Sequence, residues 1–301
     1  MSQLIKDNPQ VTNWSQGSIY SIPFSKNGVF KKYSLNNILI KDLELSLSGL
    51  PLRDISALQG IPLIKLDLFH TEIKDLSVLN GMSLKYLNLG SRKPTAFKGG
   101  MVYSGPAYMR PNITDISPLR GMPLERLIIY SSSLKDISSL KGMPLKYLDL
   151  YSPSLKDISS LKGMPLEYLD LAAKIIDISV LKKMPLKHLS LSNIGSYIYD
   201  PMKGLQARIT DISVLKEIPL RSLNIEYTTV IDISMLEGMP LEKLFLPVTA
   251  KNIEFLRSMK TLKMINYQSP QKFWKLYDKT GEMHCKKYRD NGGGFHPHIY
   301  E

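Results

Sequence analysis

A repeat of 21 residues runs along most of this 301-residue chain and limits the folds open to it. The segment LKDISSLKGMPLKYLDL at residues 134–150 returns almost unchanged at residues 155–171, and weaker copies run on both sides. Each copy contains the pattern L-x-x-L-x-L. The pattern starts at eleven places: Ile19, Ile40, Leu63, Leu84, Leu124, Leu145, Leu166, Leu186, Leu220, Leu241 and Leu262. Two intervals are longer than the rest, which places insertions near residues 90–111 and 192–207.

The pattern L-x-x-L-x-L is typical of a short β-strand. Side chains alternate between the two faces of a strand, so the fourth and sixth positions face one side and the third, fifth and seventh face the other. A strand this short cannot bury its apolar face alone, so successive units must stack into a parallel sheet. We therefore predict an α/β solenoid: a horseshoe of about eleven parallel strands, with short helical or 3₁₀ turns on the convex side.

The second half of each unit reads D-I-S-x-L-x-G-M-P and predicts a turn. The serines are candidate N-caps of a one-turn helix or 3₁₀ segment, with Pro118 at its first position. The aspartates can accept backbone N–H bonds as a ladder along the solenoid, and the glycines end each segment. Because an active site needs one constellation rather than eight equivalent copies, we expect a structural role for these pairs. They are Asp54 and Ser56, Asp75 and Ser77, Asp115 and Ser117, Asp136 and Ser138, Asp157 and Ser159, Asp177 and Ser179, Asp211 and Ser213, and Asp232 and Ser234.

The repeats resemble those of the leucine-rich repeat family. The similarity is to the short variety found in internalin-type proteins and in repeat proteins that regulate a eukaryotic phosphatase, and it covers about residues 19–266. Such solenoids characteristically bind through their concave sheet, so the resemblance implies a protein-interaction module. The segments TLKMIN and SPQKFWKLYDK also resemble the tails of bacterial leucine-rich repeat regions, some of them joined to serine/threonine kinases. A regulatory role beside a kinase or phosphatase is therefore an alternative.

The repeats divide the chain into three parts. Residues 1–39 are predicted to be an N-terminal cap that includes an atypical first repeat, since a terminal repeat lacks one neighbour. Residues 40–266 form the repeats with their two insertions, which should project from one rim of the solenoid. Residues 267–301 are predicted to be a capping helix, with Ser269 as a possible N-cap, followed by a tail.

The candidate binding site is the concave face, read from the third, fifth and seventh pattern positions of the middle units. Tyrosine and arginine are enriched at binding hot spots because they bury a large area and keep a polar group. An alternative is that these tyrosines only stack on their neighbours across the strands. A histidine in this set offers a pH-sensitive contact, with a solvated side chain as the plainer reading. The candidate partner-binding residues are Tyr86, Arg126, Tyr130, Tyr147, Asp149, Tyr151, Tyr168, Asp170 and His188.

Catalytic and metal sites are not indicated. The tail contains His284, Cys285, His296 and His298, but structural zinc sites usually have paired ligands two to four residues apart, a spacing that the adjacent His284 and Cys285 lack. We predict no metal, no other cofactor and no enzymatic activity. A single cysteine fits a reducing compartment, and neither a signal peptide nor a membrane span is recognisable. We therefore expect a cytoplasmic monomer.

The net charge of +12 suggests an acidic partner, so its distribution matters. Residues 90–112 carry four basic and no acidic residues, and residues 251–301 carry ten basic and five acidic ones. With the excess in residues 1–39 these segments account for all of the net charge, and the remaining repeats are neutral. Electrostatic binding of nucleic acid or an anionic surface through the basic insertion and the tail is an alternative function. The repeats themselves do not predict a nucleic-acid groove.

Overall fold

The computed structural model describes residues 43–48, 52–90, 113–191, 209–226 and 228–282. Within these ranges ten strands form one parallel sheet, in which neighbours in space are also neighbours along the chain. The strands are β1 (Leu43–Ser46), β2 (Leu63–Asp67), β3 (Tyr86–Leu89), β4 (Arg126–Tyr130), β5 (Tyr147–Ser152), β6 (Tyr168–Ala173), β7 (His188–Ser190), β8 (Ser222–Asn224), β9 (Lys243–Phe245) and β10 (Met264–Ile265). The predicted leucine-rich repeat solenoid is confirmed. The predicted strand at Ile19 lies outside the described residues.

Short 3₁₀ segments alternate with the strands in the same ranges. They are Ser56–Leu58, Ser77–Leu79, Ser117–Leu119, Ser138–Leu140, Ser159–Leu161, Ser179–Leu181, Ser213–Glu217, Ser234–Leu236 and Ile253–Ser258. The core lies between them and the sheet: Leu148 and Leu150 of β5 are fully buried with Leu161 of the next 3₁₀ segment in one continuous apolar cluster. We call the opposite side of the sheet the open face; it is the concave face of the predicted horseshoe.

In the turn before each 3₁₀ segment, the structure tests the predicted roles of the serine and the aspartate. The prediction that serine is the N-cap is wrong, because Ile158 occupies that position and Ser159 is the first residue of its segment. Pro118 likewise comes second, after Ser117. Asp157 accepts the backbone N–H of Ser159 at 2.8 Å and its hydroxyl at 3.0 Å. The backbone bond recurs in all eight turns, so the predicted role of the aspartates as acceptors is confirmed.

The glycines that follow the 3₁₀ segments have left-handed backbone conformations. Gly163 has φ 73°, and five equivalent glycines have values between 74° and 77°. The repeat between β6 and β7 has Lys183 at this place, with φ 61°. A side chain in this conformation is strained because its Cβ approaches the backbone, and glycine escapes that cost.

An α-helix, α1 (Pro270–Thr280), follows the last strand. Ser269 is its N-cap, and its side chain accepts the N–H of Lys272 at 3.4 Å. Phe273 and Trp274 are buried against the end of the core. Arg257 holds the helix in place through two contacts. Its guanidinium pairs with the carboxylate of Asp278 at 2.5 Å, and its guanidinium carbon lies 3.8 Å from the centroid of the Trp274 ring.

Candidate functional site

Parallel pairing without offset places equivalent repeat positions side by side. Tyr86 of β3 pairs with Arg126 of β4, and the row continues through Tyr147, Tyr168 and His188. Neighbouring strands lie about 4.8 Å apart. Residues separated by 20 to 40 positions in the sequence therefore come within contact distance on the open face.

These five third-position residues form what we call the aromatic stack. The guanidinium carbon of Arg126 lies 3.7 Å from the centroid of the Tyr147 ring and 5.8 Å from that of Tyr86. The rings of Tyr147 and Tyr168 are 4.1 Å apart, as are those of Tyr168 and His188. All five side chains are half-buried, so the stack is fixed by its neighbours and still reaches solvent.

The first member of the stack has a perturbed hydroxyl. Burial raises the pKa of Tyr86, and the negative charge of Asp67 raises it further, against the opposing effect of Arg126. The amine of Lys65 lies 5.3 Å from the centroid of the same ring and also pairs with Glu44 at 3.0 Å. Tyr86 therefore stays a neutral hydrogen-bonding group over the physiological pH range.

The fifth pattern position forms a second row of polar groups. In β2, Asp67 accepts the backbone N–H of Phe69 at 2.8 Å, and Asn88 and Asn224 accept equivalent bonds at the ends of β3 and β8. These side chains turn the chain out of the sheet. Burial raises the pKa of Asp67, which is half-buried.

Two carboxylates in this row are placed differently. Because β5 and β6 stay paired as far as Ser152 and Ala173, their fifth positions do not bend the chain in this way. Asp149 and Asp170 lie side by side in register and are 3% and 4% exposed. The hydroxyl of Tyr130 donates to Asp149 at 2.5 Å.

The seventh position holds a smaller aromatic cluster. Tyr130 and Tyr151 meet edge to face, with their ring centroids 6.2 Å apart, and pack with Ala172 and Ile128. Both tyrosines are 5% exposed. The structure thus gathers all nine predicted residues on one face, where the five residues of the stack are half-exposed. Its four other members are buried: Tyr130, Tyr151, Asp149 and Asp170.

Sequence reasoning missed two members of this arrangement. Lys65 extends the stack beyond Tyr86, and Ile128 packs against the cluster of the two buried tyrosines. Both occupy the same columns as the predicted residues, so the signal was their repeat position. Neither residue is an aromatic residue or an arginine, so a choice of binding residues by type does not include them.

Ion pairs lie along the row of second pattern positions, one residue before the third-position row on each strand. Lys146 pairs with Glu125 at 3.0 Å, and Lys187 pairs with Glu167 at 2.6 Å. Hydrogen bonds from these lysines lower the pKa of both glutamates. Farther along, Arg221 and Lys263 flank Glu242. In this part of the chain three glutamates are interspersed with the basic residues, so much of the positive charge along the row is neutralised.

The described residues form neither a metal-ligand cluster nor a membrane-spanning helix. Among the described residues no group of three or more histidine, cysteine, aspartate or glutamate side chains is close enough to hold a metal ion. The tail residues His284, Cys285, His296 and His298 and both insertions lie outside the described residues. No helix in the described ranges is long and apolar enough to cross a membrane.

Comparison with known proteins adds structural neighbours. No protein-family model matches the chain, and no curated protein does either. An internalin (inlF) from Listeria monocytogenes is 23% identical over 75% of this chain and 74% of its own, with a TM-score of 0.48. An internalin C2 (inlC2) from the same organism is 19% identical over 73% and 79%, with a TM-score of 0.43. A shared fold does not specify function, which has to be argued from the site.

Proposed function

We propose that this protein is a binding module that recognises a protein partner through the open face. The observation that carries the proposal is the aromatic stack, a row of five half-buried planar side chains that crosses five strands. Planar side chains already ordered by their neighbours lose little conformational entropy when a partner covers them.

In the sequence, the two insertions follow the first and last strands of the stack. The stack begins at Tyr86 of β3 and ends at His188 of β7, and the insertions near 90–111 and 192–207 follow these same two strands. The stack spans four strand spacings, about 19 Å, and the third to seventh positions span about 13 Å. The product, roughly 250 Å², is below the ~800 Å² per partner of a standard interface. We propose that the insertions supply much of the remaining contact area and add selectivity.

The proposal is tested by affinity capture with mass spectrometry, comparing wild type with a Tyr147→Ala plus Tyr168→Ala variant at two salt concentrations. We expect the variant to lose a partner that wild type retains at both concentrations. Lys243→Ala is the matched control, because Lys243 occupies the third position of β9, outside the stack. Unchanged capture by a folded double variant contradicts the proposal. Binding that survives the tyrosine changes and weakens steeply with salt favours the alternative of nucleic acid or an anionic surface.

A further inference from the structure

Asp170 is the most unusual polar side chain on the open face. It is 4% exposed, and among the described residues no basic side chain forms an ion pair with its carboxylate. Its neighbour in register, Asp149, adds a second buried carboxylate and binds the Tyr130 hydroxyl. Burying a carboxylate without a partner is costly, so such a group is typically matched by a cation from elsewhere.

The nearby cations are already engaged. Arg126 lies against the rings of Tyr147 and Tyr86, and Lys65 is paired with Glu44. The described ranges hold no ion pair between a basic side chain and Asp170. Within the described residues no cation is left to pair with Asp170, so its carboxylate is available to a basic group of a bound partner.

Short side chains border Asp170 on two sides. Ser190 is its neighbour in register on β7, and Ala172 is two residues farther along β6. On the third side stands Tyr168, a central ring of the aromatic stack. A long side chain that ends in a cation can pass the two short residues and reach the carboxylate of Asp170.

We infer that Asp170 is the anchor for one lysine or arginine side chain of the protein partner. The inference rests on the proposed function and specifies the chemistry of its partner. The carboxylate of Asp170 pairs with the partner's cation, Asp149 strengthens the local negative field, and the stack contacts the rest of the inserted side chain. On a chain of net charge +12, a negative island on the open face also orients the partner.

Selection from a displayed library of random 16-residue peptides tests the inference, with the full chain as target and EDTA present to exclude bridging metals. We expect one enriched position occupied by lysine or arginine. Affinity of the best peptide should fall at least about tenfold with Asp170→Asn and likewise when its basic residue is replaced by a neutral isostere, citrulline for arginine or norleucine for lysine. The two changes together should weaken binding no more than either alone.

Asp67→Asn is the matched control. Asp67 holds the same pattern position on β2, four strand spacings or about 19 Å from β6, and its bond to Phe69 needs only an acceptor that asparagine retains. A peptide lost with the tyrosine double variant but unaffected by Asp170→Asn overturns this inference and leaves the proposed function standing. Selection of no peptide that depends on the stack contradicts both.

Stability of the free protein gives a second readout. Because the amide of Asp170→Asn carries no charge to bury, we expect its melting temperature to rise by about 2 °C. A variant that melts below wild type contradicts the view that this carboxylate is unpaired. Gain of stability with loss of peptide binding is the signature of a group kept for recognition.

Discussion

The rings of Tyr147 and Tyr168 lie within 8° of parallel, with 4.1 Å between their centroids, although 21 residues separate them in the chain. This contact is the centre of the aromatic stack and depends on the unshifted pairing of β5 with β6. Aromatic pairs contribute about 0.5–1.5 kcal/mol beyond their area burial.

We expect a double-mutant cycle of Tyr147→Leu and Tyr168→Leu to give a coupling energy of about 0.5–1.5 kcal/mol, since each change removes the same ring contact. Urea denaturation of the four proteins measures it. Ser222→Ala with Lys243→Ala is the control cycle, because these residues are also neighbours in register but have no aromatic ring. Additive changes at the tyrosines contradict a stack that contributes to stability.

Lys183→Gly is expected to raise the free energy of unfolding by about 1 kcal/mol. Lys183 has φ 61°, a conformation that glycine adopts without strain. Its neighbour Lys182 has φ −52°. Lys182→Gly should therefore lower stability, since it adds flexibility to the unfolded chain and relieves no strain. Urea denaturation measures the stability of both variants, and each of them lacks one lysine. A Lys183→Gly protein that is less stable than wild type contradicts the argument.

Asp157→Ala is expected to cost about 1 kcal/mol, because it removes the acceptor for the backbone N–H and hydroxyl of Ser159. Asp157→Asn keeps one acceptor oxygen and should cost less. Lys156→Ala, at the exposed preceding residue, serves as the control. A melting midpoint unchanged by Asp157→Ala contradicts the role assigned to the turn aspartates.

Stability is expected to fall in acid. Hydrogen bonds from the serine backbones lower the pKa of Asp75, Asp136, Asp177, Asp211 and Asp232 in the folded protein. A carboxyl whose pKa is lower when folded stabilises the fold above its unfolded pKa of about 4, and this contribution is lost as pH falls through the folded value. Asp67, with its raised pKa, acts in the opposite direction but is a single group.

Urea denaturation between pH 6 and pH 2 measures this dependence. The slope of unfolding free energy against pH should be positive below about pH 5 and smaller in an Asp136→Asn plus Asp177→Asn variant. Lys135→Ala plus Lys156→Ala is the control, because neither lysine is hydrogen-bonded to the turn. A slope that the double asparagine variant leaves unchanged assigns the acid sensitivity to other carboxyls.

The turns show where local sequence was insufficient. Asp and Ser are both capable of capping a 3₁₀ segment, and the pattern D-I-S offers both. The choice depends on the backbone of the intervening isoleucine, which brings the aspartate to the serine N–H and points the serine hydroxyl back at the aspartate. The left-handed Lys183 was missed for a similar reason, because lysine gives no local signal of a conformation that its equivalent glycines make visible.

The repeat pattern fixes the parallel sheet and the columns of its open face, because a constant period forces equivalent positions of successive strands into register. The same period predicts one row that holds Tyr86, Arg126, Tyr147, Tyr168 and His188, as the structure shows. Only the tertiary structure separated the half-exposed Tyr147 and Tyr168 from the buried Tyr130 and Tyr151. Alternation along a strand assigns a side chain to a face, whereas its exposure depends on the side chains that neighbouring strands bring around it.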